Sequence, residues 1–375
     1  MFSSRGTPFV FALRLAVFVL LFIALAEVWL RVVTPASDPP FDAQDAATKV
    51  WRYEPSGSRG GLWTVGRLAR RAGHWRINNA GYNCAVDYPV ARPRKQPLIA
   101  LFGDSYIEGL LTDTDQHIEA YLPSYVRGGC YAYAFGVSAA SLAQCVAMSQ
   151  YDAARYRPDV LVVLIGARAV ADSLQELGTP SPYFFQIRKN GDGYTDVPPS
   201  TTYAVSRTAR LARASKIVCY LRFNAHVSLP GEKGQEVAVP VAGNGGAGQS
   251  GAAVRELLPG ARYLVRRLCV ENPGTPIVFM YQEQAERYLG LRELAGAPLS
   301  PDAQAVKEAS RGHGQCHFLD LRYAFARDWA AHHRRFEAVD GGHWNAYANR
   351  LVARTLAEFI DERALLTPET RTGGS

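Results

Sequence analysis

The chain has 375 residues and a net charge of +7, from 41 lysines and arginines against 34 aspartates and glutamates. Hydrophobic residues make up 48% and charged residues 20% of it, which excludes a disordered protein and predicts a large buried core. The sequence has neither zinc-finger spacing nor an aromatic RNA-binding motif, so we expect no nucleic-acid partner. We interpret the positive charge as an arginine-rich surface; attraction to an anionic lipid or polysaccharide is the alternative.

A strongly apolar segment lies near the N-terminus. Leu15–Leu30 contains a single charge, at Glu27, and it follows the basic residues Arg5 and Arg14. Such a segment predicts a membrane-spanning helix, because a helical backbone satisfies its own hydrogen bonds and apolar side chains favour hydrocarbon. The basic flank on its N-terminal side predicts that the following residues lie outside the cytoplasm.

The same segment leaves a second interpretation open. Ala24–Ala26 fits the A-x-A pattern at which signal peptides are cleaved. We favour an uncleaved anchor because of the length of the segment. Residues 1–33 are therefore expected to form a membrane anchor or signal segment, and residues 34–94 a linker and an irregular lead-in. Six cysteines suit an oxidising compartment, but no C-x-x-C pair occurs and their pairing cannot be deduced from the sequence.

From residue 95 onward, short apolar runs alternate with stretches of helical character such as Ala140–Tyr156 and Pro259–Glu271. The five runs are Pro97–Phe102, Tyr131–Phe135, Asp159–Ile165, Pro276–Tyr281 and His317–Leu321. Near-continuous apolar strands that alternate with helices predict an α/β fold, here a three-layer α/β/α sandwich with a parallel sheet. We assign this domain to residues 95–365 and a tail to residues 366–375.

One part of this domain breaks the alternation. Residues at about 173–253 contain a helical piece around Ala209–Phe223, followed by a glycine-rich stretch. We interpret this part as an insertion that covers the site, with a flexible loop inside it.

Two short motifs carry the residues of a nucleophilic serine site. Ser105 follows the first apolar run, in a turn that Gly103 opens, and ligands bind at the carboxyl ends of strands in such sheets. Asp340 and His343 lie close together before the last predicted helix. A serine hydroxyl needs a neighbouring base, and this spacing lets the aspartate hold one imidazole nitrogen while the other faces the serine. We therefore predict Ser105, Asp340 and His343 as a catalytic triad.

Four segments together resemble the SGNH (GDSL-like) hydrolase superfamily. They are LIALFGDSYIEG, AFGVSAASLAQ, VVLIGARAVADS and VDGGHWNAYANRLVA, in that order. The resemblance implies a flavodoxin-like parallel sheet, with Ser105 as nucleophile, His343 as general base and Asp340 as the orienting carboxylate. It also implies that the backbone N–H groups of Ser105 and Gly136 form an oxyanion hole, which stabilises the charge that develops on a carbonyl oxygen.

The third of these segments departs from the pattern of the superfamily. The pattern has Gly-x-Asn-Asp, whose asparagine is the third oxyanion donor, whereas this chain has Gly166-Ala167-Arg168-Ala169. Arg168 either replaces the amide as a cationic donor or pairs with Asp172 as part of the structure. We also predict Asp104 and Trp344 as substrate contacts, and packing of Trp344 into the core is the alternative.

Two further patterns are not interpreted as ligand sites. Gly243–Gly248 fits G-x-G-x-x-G, but Pro240 lies in the preceding apolar stretch, where a nucleotide site needs a clean strand. The histidines around Cys316 and at His332–His333 have no acidic residue that would complete a metal cluster. We therefore expect neither a cofactor nor a metal.

The resemblance implies acyl-ester hydrolysis or O-acyl transfer through an acyl-enzyme. It is closest to membrane-anchored members of bacterial exopolysaccharide and surface-glycan machinery, which implies O-acetyl groups of an exported polysaccharide as substrate and polysaccharide-biosynthesis proteins as partners. The chain is then expected to cross the bacterial inner membrane once, with its catalytic domain in the periplasm. Two alternatives stay open: a non-catalytic glycan-binding or assembly component with this fold, and a lipid esterase.

Overall fold

The computed structural model describes residues 7–90, 96–177, 181–227, 251–283, 297–339 and 342–366. The chain divides into two compact units. The small unit contains the residues up to Pro39, Gly61–Ala72 and a segment that begins at Val205. The large unit contains the remaining residues, and with them every candidate catalytic residue.

The elements of the described residues are numbered here in chain order. The strands are β1 (Asp42–Gln44), β2 (Trp51–Tyr53), β3 (Gly61–Val65), β4 (Arg70–Trp75), β5 (Leu98–Gly103), β6 (Tyr131–Gly136), β7 (Val160–Ile165), β8 (Gln186–Asn190), β9 (Gly193–Val197), β10 (Ile277–Tyr281) and β11 (Cys316–Asp320). The α-helices are α1 (Thr7–Val32), α2 (Ile118–Tyr125), α3 (Leu142–Ala147), α4 (Arg207–Ala214), α5 (Lys216–Cys219), α6 (Gly251–Glu271), α7 (Pro301–Ser310), α8 (Arg322–His332) and α9 (Ala346–Glu362). Shorter 3₁₀ and π turns are Thr114–Gln116, Met148–Ala153, Ala154–Tyr156, Ala171–Ser173 and Tyr220–Asn224.

A five-stranded parallel sheet forms the centre of the large unit. Its strand order is β6-β5-β7-β10-β11, with parallel pairing throughout. Counted along the chain, this is the order 2-1-3-4-5 of a flavodoxin-like sheet. The five strands are the five predicted apolar runs, and each end lies within one residue of its predicted position. The predicted fold class, an α/β/α sandwich with a flavodoxin-like sheet, is confirmed.

Two buried clusters explain why the central strands are apolar along their whole length. In β5, Leu98, Ala100 and Phe102 enter one cluster, whereas Ile99 and Leu101 enter the other. The helices α3, α6 and α7 contribute to the first cluster, and α2, α8 and α9 to the second. Since successive side chains of a strand point to opposite faces, a strand that is covered on both faces has no polar position. The polar residues of the site therefore lie beyond the strand ends.

The helix predicted over Ala140–Tyr156 is interrupted. After α3, a π turn and a 3₁₀ turn lead to Arg157, which has a left-handed conformation with a φ of 50°. The π turn buries Asp152, whose carboxylate accepts a hydrogen bond from the Tyr82 hydroxyl and forms a 3.0 Å ion pair with Arg52. The local pattern does not indicate this break, because both partners of Asp152 lie far away in the sequence.

The part predicted as an insertion contains several elements. β8 and β9 form an antiparallel hairpin in the large unit, while α4 and α5 belong to the small unit. The helical piece predicted around Ala209–Phe223 is divided at Ser215, which is extended and whose hydroxyl caps α5 at the N–H of Val218. Most of the glycine-rich stretch, with its G-x-G-x-x-G motif, falls on residues 228–250 and lies outside the described residues.

Residues 34–94, predicted as a linker and irregular lead-in, contain four short strands. β1 and β2 pair in antiparallel fashion, and β3 pairs with β4. These strands mix charged, glycine and aromatic residues, so they lack the apolar run or strict alternation that predicts a strand from sequence.

α1 is long and apolar enough to cross a membrane. Pro8–Val32 covers 25 residues with a mean hydropathy of 2.8, although an N-terminal signal sequence meets the same criteria. Close to the end of α1, the Glu27 carboxylate accepts the N–H groups of Lys216 (2.8 Å) and Ile217 (3.1 Å) and the hydroxyl of Ser215 (2.9 Å). The one charge in the apolar segment therefore caps α5 within the small unit.

Candidate active site

Ser105 lies directly after β5, at the carboxyl edge of the sheet. The turn around it is held by Asp104, whose carbonyl oxygen accepts the N–H groups of Ile107 (3.1 Å) and Glu108 (3.0 Å). The carboxylate of Asp104 accepts the N–H of Tyr106 at 3.1 Å. The pKa of Asp104 is raised, because desolvation disfavours its charged form. The structure thus gives the predicted substrate contact Asp104 a defined part in shaping the nucleophile turn.

His343 lies against the candidate nucleophile. Its Nε2 atom is 2.9 Å from the Oγ atom of Ser105, which is hydrogen-bonding distance for a general base. The backbone carbonyl of His343 accepts the N–H of Ala338 at 2.7 Å, and the Tyr106 hydroxyl donates to the carbonyl of Gly342 at 2.6 Å. These contacts fix the loop on both sides of the imidazole, and the structure brings the predicted nucleophile and base together.

Asp340, the predicted orienting carboxylate, lies outside the described residues together with Gly341. Its role as the third member of the triad stays a prediction. After Gly342 the chain enters α9 through Asn345, whose side chain accepts the N–H of Ala348 at 3.0 Å. Asn345 is thus the helix cap of α9.

Two glycines allow the nucleophile turn and the predicted oxyanion turn to approach each other. Gly103 and Gly136 are paired at the ends of β5 and β6. A Cβ on Gly103 would overlap the side chain of Ile107, and a Cβ on Gly136 would overlap the backbone nitrogen of Glu108. Neither glycine has a positive φ, so the close approach of the two turns is what requires them. Gly136 therefore lies beside the nucleophile turn, and its role as an oxyanion donor stays a prediction.

Arg168 is directed at an acidic partner on its own turn. Its guanidinium donates two hydrogen bonds to one carboxylate oxygen of Asp172, at 2.8 and 3.0 Å, and its side chain is 57% exposed. Arg168 therefore pairs with Asp172 as part of the structure, which is one of its two predicted roles. The turn itself is anchored by the carboxylate of Asp302, which accepts the N–H groups of Val170 and Ala171 at 2.8 Å each.

Trp344 does not line the site as a stacking surface. It is 2% exposed and packs in the core cluster with Phe325 and Phe336. Its ring centroid lies 4.8 Å from that of Tyr106. The predicted substrate contact at Trp344 is therefore replaced by the alternative of core packing, since a buried indole cannot stack on a sugar.

A buried carboxylate that the sequence analysis did not single out lies behind the nucleophile. Glu108 is 1% exposed and accepts hydrogen bonds from the hydroxyls of Tyr53 (2.8 Å) and Ser138 (2.6 Å). Burial raises its pKa to about 7, while these two hydrogen bonds and the charge of His343 act in the opposite direction. Its place three residues after Ser105 was the available signal in the sequence; Tyr53 comes from β2, which no local pattern connects with the site.

A second missed residue follows β10. Gln282 is 3% exposed, and its N–H donates to the carbonyl of Ile165 at 3.3 Å. Its Nε2 atom lies 4.0 Å from the point where a Cβ of Gly166 would be, and an oxygen of Asp104 lies 3.4 Å from the same point. The Gln282 amide and the Asp104 carboxylate therefore both lie close to the space where Gly166 has no side chain.

Within the described ranges, no group of three or more histidine, cysteine, aspartate or glutamate side chains is arranged to hold a metal ion. His317 lies in β11 and His332 ends α8.

No known family model matches the sequence, and no curated protein matches it. Among solved structures, the chain is similar to a lipase/acylhydrolase from Enterococcus faecalis, with 12% identity, a TM-score of 0.37 and coverage of 72% of this chain and 97% of the other. It is also similar to an acetyl-xylooligosaccharide esterase from Geobacillus Stearmophilus, a mutant form, with 14% identity, a TM-score of 0.36 and coverage of 72% and 96%. A carbohydrate esterase family 2 enzyme with a carbohydrate-binding domain, from Corynascus thermopiles, has 14% identity, a TM-score of 0.38 and coverage of 84% and 80%. These likenesses are remote, and the chemistry proposed below rests on the geometry of Ser105 and His343.

Proposed function

We propose that this protein is a serine-dependent acyl-ester hydrolase or O-acyltransferase that works through an acyl-enzyme. The observation that carries the proposal is the 2.9 Å distance between the Ser105 hydroxyl oxygen and Nε2 of His343 at the carboxyl edge of the sheet. A serine hydroxyl becomes a nucleophile when a neighbouring base takes its proton, and an imidazole at hydrogen-bonding distance is the base most often used.

The reaction follows from these groups. Ser105 attacks the ester carbonyl while His343 takes the hydroxyl proton, and the imidazolium then gives this proton to the departing alcohol. The backbone N–H groups of Ser105 and Gly136 are the proposed donors to the oxyanion. Asp340 is the proposed partner that holds the imidazole. Water or a sugar hydroxyl then attacks the acyl-enzyme, with His343 again as base, and this second acceptor decides between hydrolysis and transfer.

We propose O-acetyl groups of an exported bacterial polysaccharide as the substrate. The support is the resemblance of the four sequence segments to membrane-anchored SGNH proteins, together with an apolar α1 that can anchor the chain. The proposed location is the inner membrane, with α1 crossing it once and the large unit in the periplasm, where polysaccharide-biosynthesis proteins are the proposed partners.

A second candidate function is a glycan-binding or assembly component without catalysis. The observation that favours it is the Arg168–Asp172 pair, because it leaves the third segment without the side-chain donor that the superfamily pattern has there. Loss of one oxyanion donor lowers turnover by roughly 10²–10³-fold in a serine hydrolase.

The test is acetyl release from an activated acetyl ester by the full-length protein in detergent. We expect Ser105→Ala and His343→Ala to lower turnover by roughly 10³-fold or more, since triad members act as a unit. Ser124→Ala and His313→Ala, which change a serine and a histidine away from the site, serve as matched controls. An acetyl group on the Ser105 peptide after a rapid quench would identify the acyl-enzyme.

The acceptor and the acyl chain are tested in the same assay. A product acetylated on an added sugar acceptor would identify a transferase, and free acetate alone a hydrolase. Faster turnover of long-chain esters than of acetyl esters would instead identify a lipid esterase. Folded wild-type protein that is no faster than Ser105→Ala, yet binds an acidic polysaccharide, would overturn the catalytic proposal in favour of the binding component.

A further inference from the structure

Two cysteines of the large unit lie side by side on different elements. Cys269 is in the last turn of α6, and Cys316 is the first residue of β11. Their Sγ atoms are 3.4 Å apart, and both residues are half-buried. The two sulfur atoms lie within hydrogen-bonding distance of each other, and either can be the donor.

The other four cysteines differ from this pair in being fully buried. They are Cys84, Cys130, Cys145 and Cys219. Burial raises the pKa of Cys84 and of Cys130 to about 12, so these thiols are poor nucleophiles. In contrast, the hydrogen bond from Cys316 lowers the pKa of Cys269. The half-buried pair is therefore better placed than the four buried thiols to start an exchange reaction.

We propose that Cys269 and Cys316 form a disulfide in the mature, exported protein. A disulfide needs its sulfur atoms about 2.05 Å apart, and rotation about the Cα–Cβ bond of either cysteine changes the present 3.4 Å separation. This inference rests on the proposed periplasmic location, because disulfides persist in oxidising compartments. It does not depend on the proposed reaction at Ser105.

The oxidant is a small-molecule disulfide or the oxidised form of a thiol–disulfide oxidoreductase. The Cys269 thiolate attacks one sulfur of the oxidant disulfide, which forms a mixed disulfide and releases one thiol. The Cys316 thiolate then attacks the Cys269 sulfur and displaces the second thiol. Two protein thiols and one oxidant disulfide are thus converted into one protein disulfide and two oxidant thiols.

The bond would join two elements that are 47 residues apart in the sequence. The enclosed chain contains β10 and α7, so the cross-link ties the edge strand β11 to the helix that covers the same face of the sheet. Closing a loop of this length restricts the unfolded chain and stabilises the folded one. The site itself is not part of the cross-link, although Gln282 follows the enclosed strand β10.

The first experiment tests the geometry. Reduced full-length protein in detergent is incubated with oxidised glutathione, free thiols are alkylated, and peptides are mapped by mass spectrometry. We expect a peptide pair joined through Cys269 and Cys316, and loss of two of the six thiols. Cys269→Ser and Cys316→Ser should form no such pair. Six alkylated thiols after oxidation, or glutathione that stays on Cys269 without transfer to Cys316, would overturn the proposal.

The second experiment tests the state of the pair in the cell. Cells that produce the protein are treated with acid to trap thiols, and the same peptides are mapped. We expect the joined pair, and we expect a reductant to lower the melting temperature of the wild type by roughly 5–10 °C but to leave both serine variants unchanged. Free thiols in the cell, with the bond formed by glutathione in vitro, would overturn the mature disulfide and count against the periplasmic location. Ester turnover is measured separately, so a failure of the catalytic proposal is distinguishable from both results.

Discussion

The hydroxyl of Tyr53 donates a 2.8 Å hydrogen bond to the carboxylate of Glu108, three residues after the candidate nucleophile. Ser138, in the turn after Gly136, donates to the other carboxylate oxygen at 2.6 Å. The carbonyl of Glu108 accepts the side-chain N–H of Asn83 at 3.1 Å. One buried residue therefore connects the nucleophile turn, the predicted oxyanion turn and the lead-in segment, so changes in any of the three are expected to reach the site.

Glu108→Gln is expected to change how stability depends on pH. Burial raises the pKa of Glu108 from 4.5 to about 7, so the folded protein holds a proton there that the unfolded chain releases. The contribution of Glu108 to the free energy of unfolding is therefore fully present below about pH 4.5. It is lost as the pH rises through about 7, and the loss is on the order of 3 kcal/mol. The glutamine variant cannot titrate at this position.

The melting temperatures of wild type and Glu108→Gln, measured at pH 5 and at pH 8, check this prediction. The melting temperature of the variant should rise relative to that of the wild type between pH 5 and pH 8. A constant difference between the two proteins over this range would show that Glu108 is already ionised at pH 5. Tyr53→Phe, which removes one hydrogen bond from the carboxylate, should lower the melting temperature more at pH 8 than at pH 5.

Gly136→Ala is expected to reduce turnover strongly. The new methyl group would overlap the backbone nitrogen of Glu108 and the carbonyl carbon of Ile107, so the nucleophile turn must shift to accommodate it. A displacement of about 1 Å in a catalytic group can lower the rate by roughly 10²-fold. Gly314→Ala is the matched control, because a Cβ there meets no atom within 4 Å. Equal turnover in the two variants would show that the close approach at Gly136 is not needed for the reaction.

Arg168→Gln is expected to change turnover little, whereas Gln282→Leu is expected to lower it strongly. The guanidinium of Arg168 is occupied by Asp172 and largely exposed, so its removal should change kcat by less than about 3-fold. Gln282 is buried beside Gly166 and Asp104, and loss of its amide donor should lower kcat by roughly 10-fold or more. Steady-state kinetics on the activated acetyl ester check both. A large loss of kcat in Arg168→Gln, with none in Gln282→Leu, would instead indicate that Arg168 is an oxyanion donor.

Glu27→Ala is expected to loosen the small unit. The substitution removes the acceptor for the N–H groups of Lys216 and Ile217, and loss of a helix cap costs about 1 kcal/mol. Trypsin should then cut faster within α4, which contains three arginines, and at Lys216 in α5. Glu27→Gln keeps one acceptor oxygen and should be intermediate. Unchanged cleavage in the alanine variant would show that the small unit does not depend on this contact.

A fragment that begins at Thr34 should also be cut faster by trypsin in α4 and α5. Such a fragment is the simplest way to remove the apolar segment, but it also removes Glu27 and the contact of Arg31 with the carbonyl of Ala214 (2.9 Å). A fragment that begins at Ala26 retains both. We expect the longer fragment to be more resistant to trypsin in α4 and α5, and equal resistance would contradict a role for the last turns of α1.

The parts of the fold that could be predicted are those with a local cause. The five sheet strands are continuous apolar runs because both faces are covered, and this pattern is visible in the sequence alone. The Arg168–Asp172 pair was recognisable because residues four apart can meet across a single turn of the chain, here closed by the N–H of Asp172 on the carbonyl of Arg168 (2.9 Å).

The parts that could not be predicted depend on contacts between distant residues. Tyr53 reaches Glu108 from 55 positions away, and Asp152 interrupts a helix to meet Tyr82, 70 positions away. Trp344 follows His343 directly, so its position suggested the site, but its large apolar ring is buried more favourably in the core. Such choices depend on the assembled core and leave no local pattern.

The cap at Glu27 has a consequence for the order of events during synthesis. Its partner Lys216 is 189 residues further along the chain, so at 5–20 residues per second the carboxylate lacks the N–H donors that it caps for roughly 10–40 seconds after it leaves the ribosome. β5, β6 and β7 are complete within that interval, since all three precede α5. The contact between Glu27 and α5 can therefore form only after three of the five sheet strands have been made, and before β10 and β11 follow.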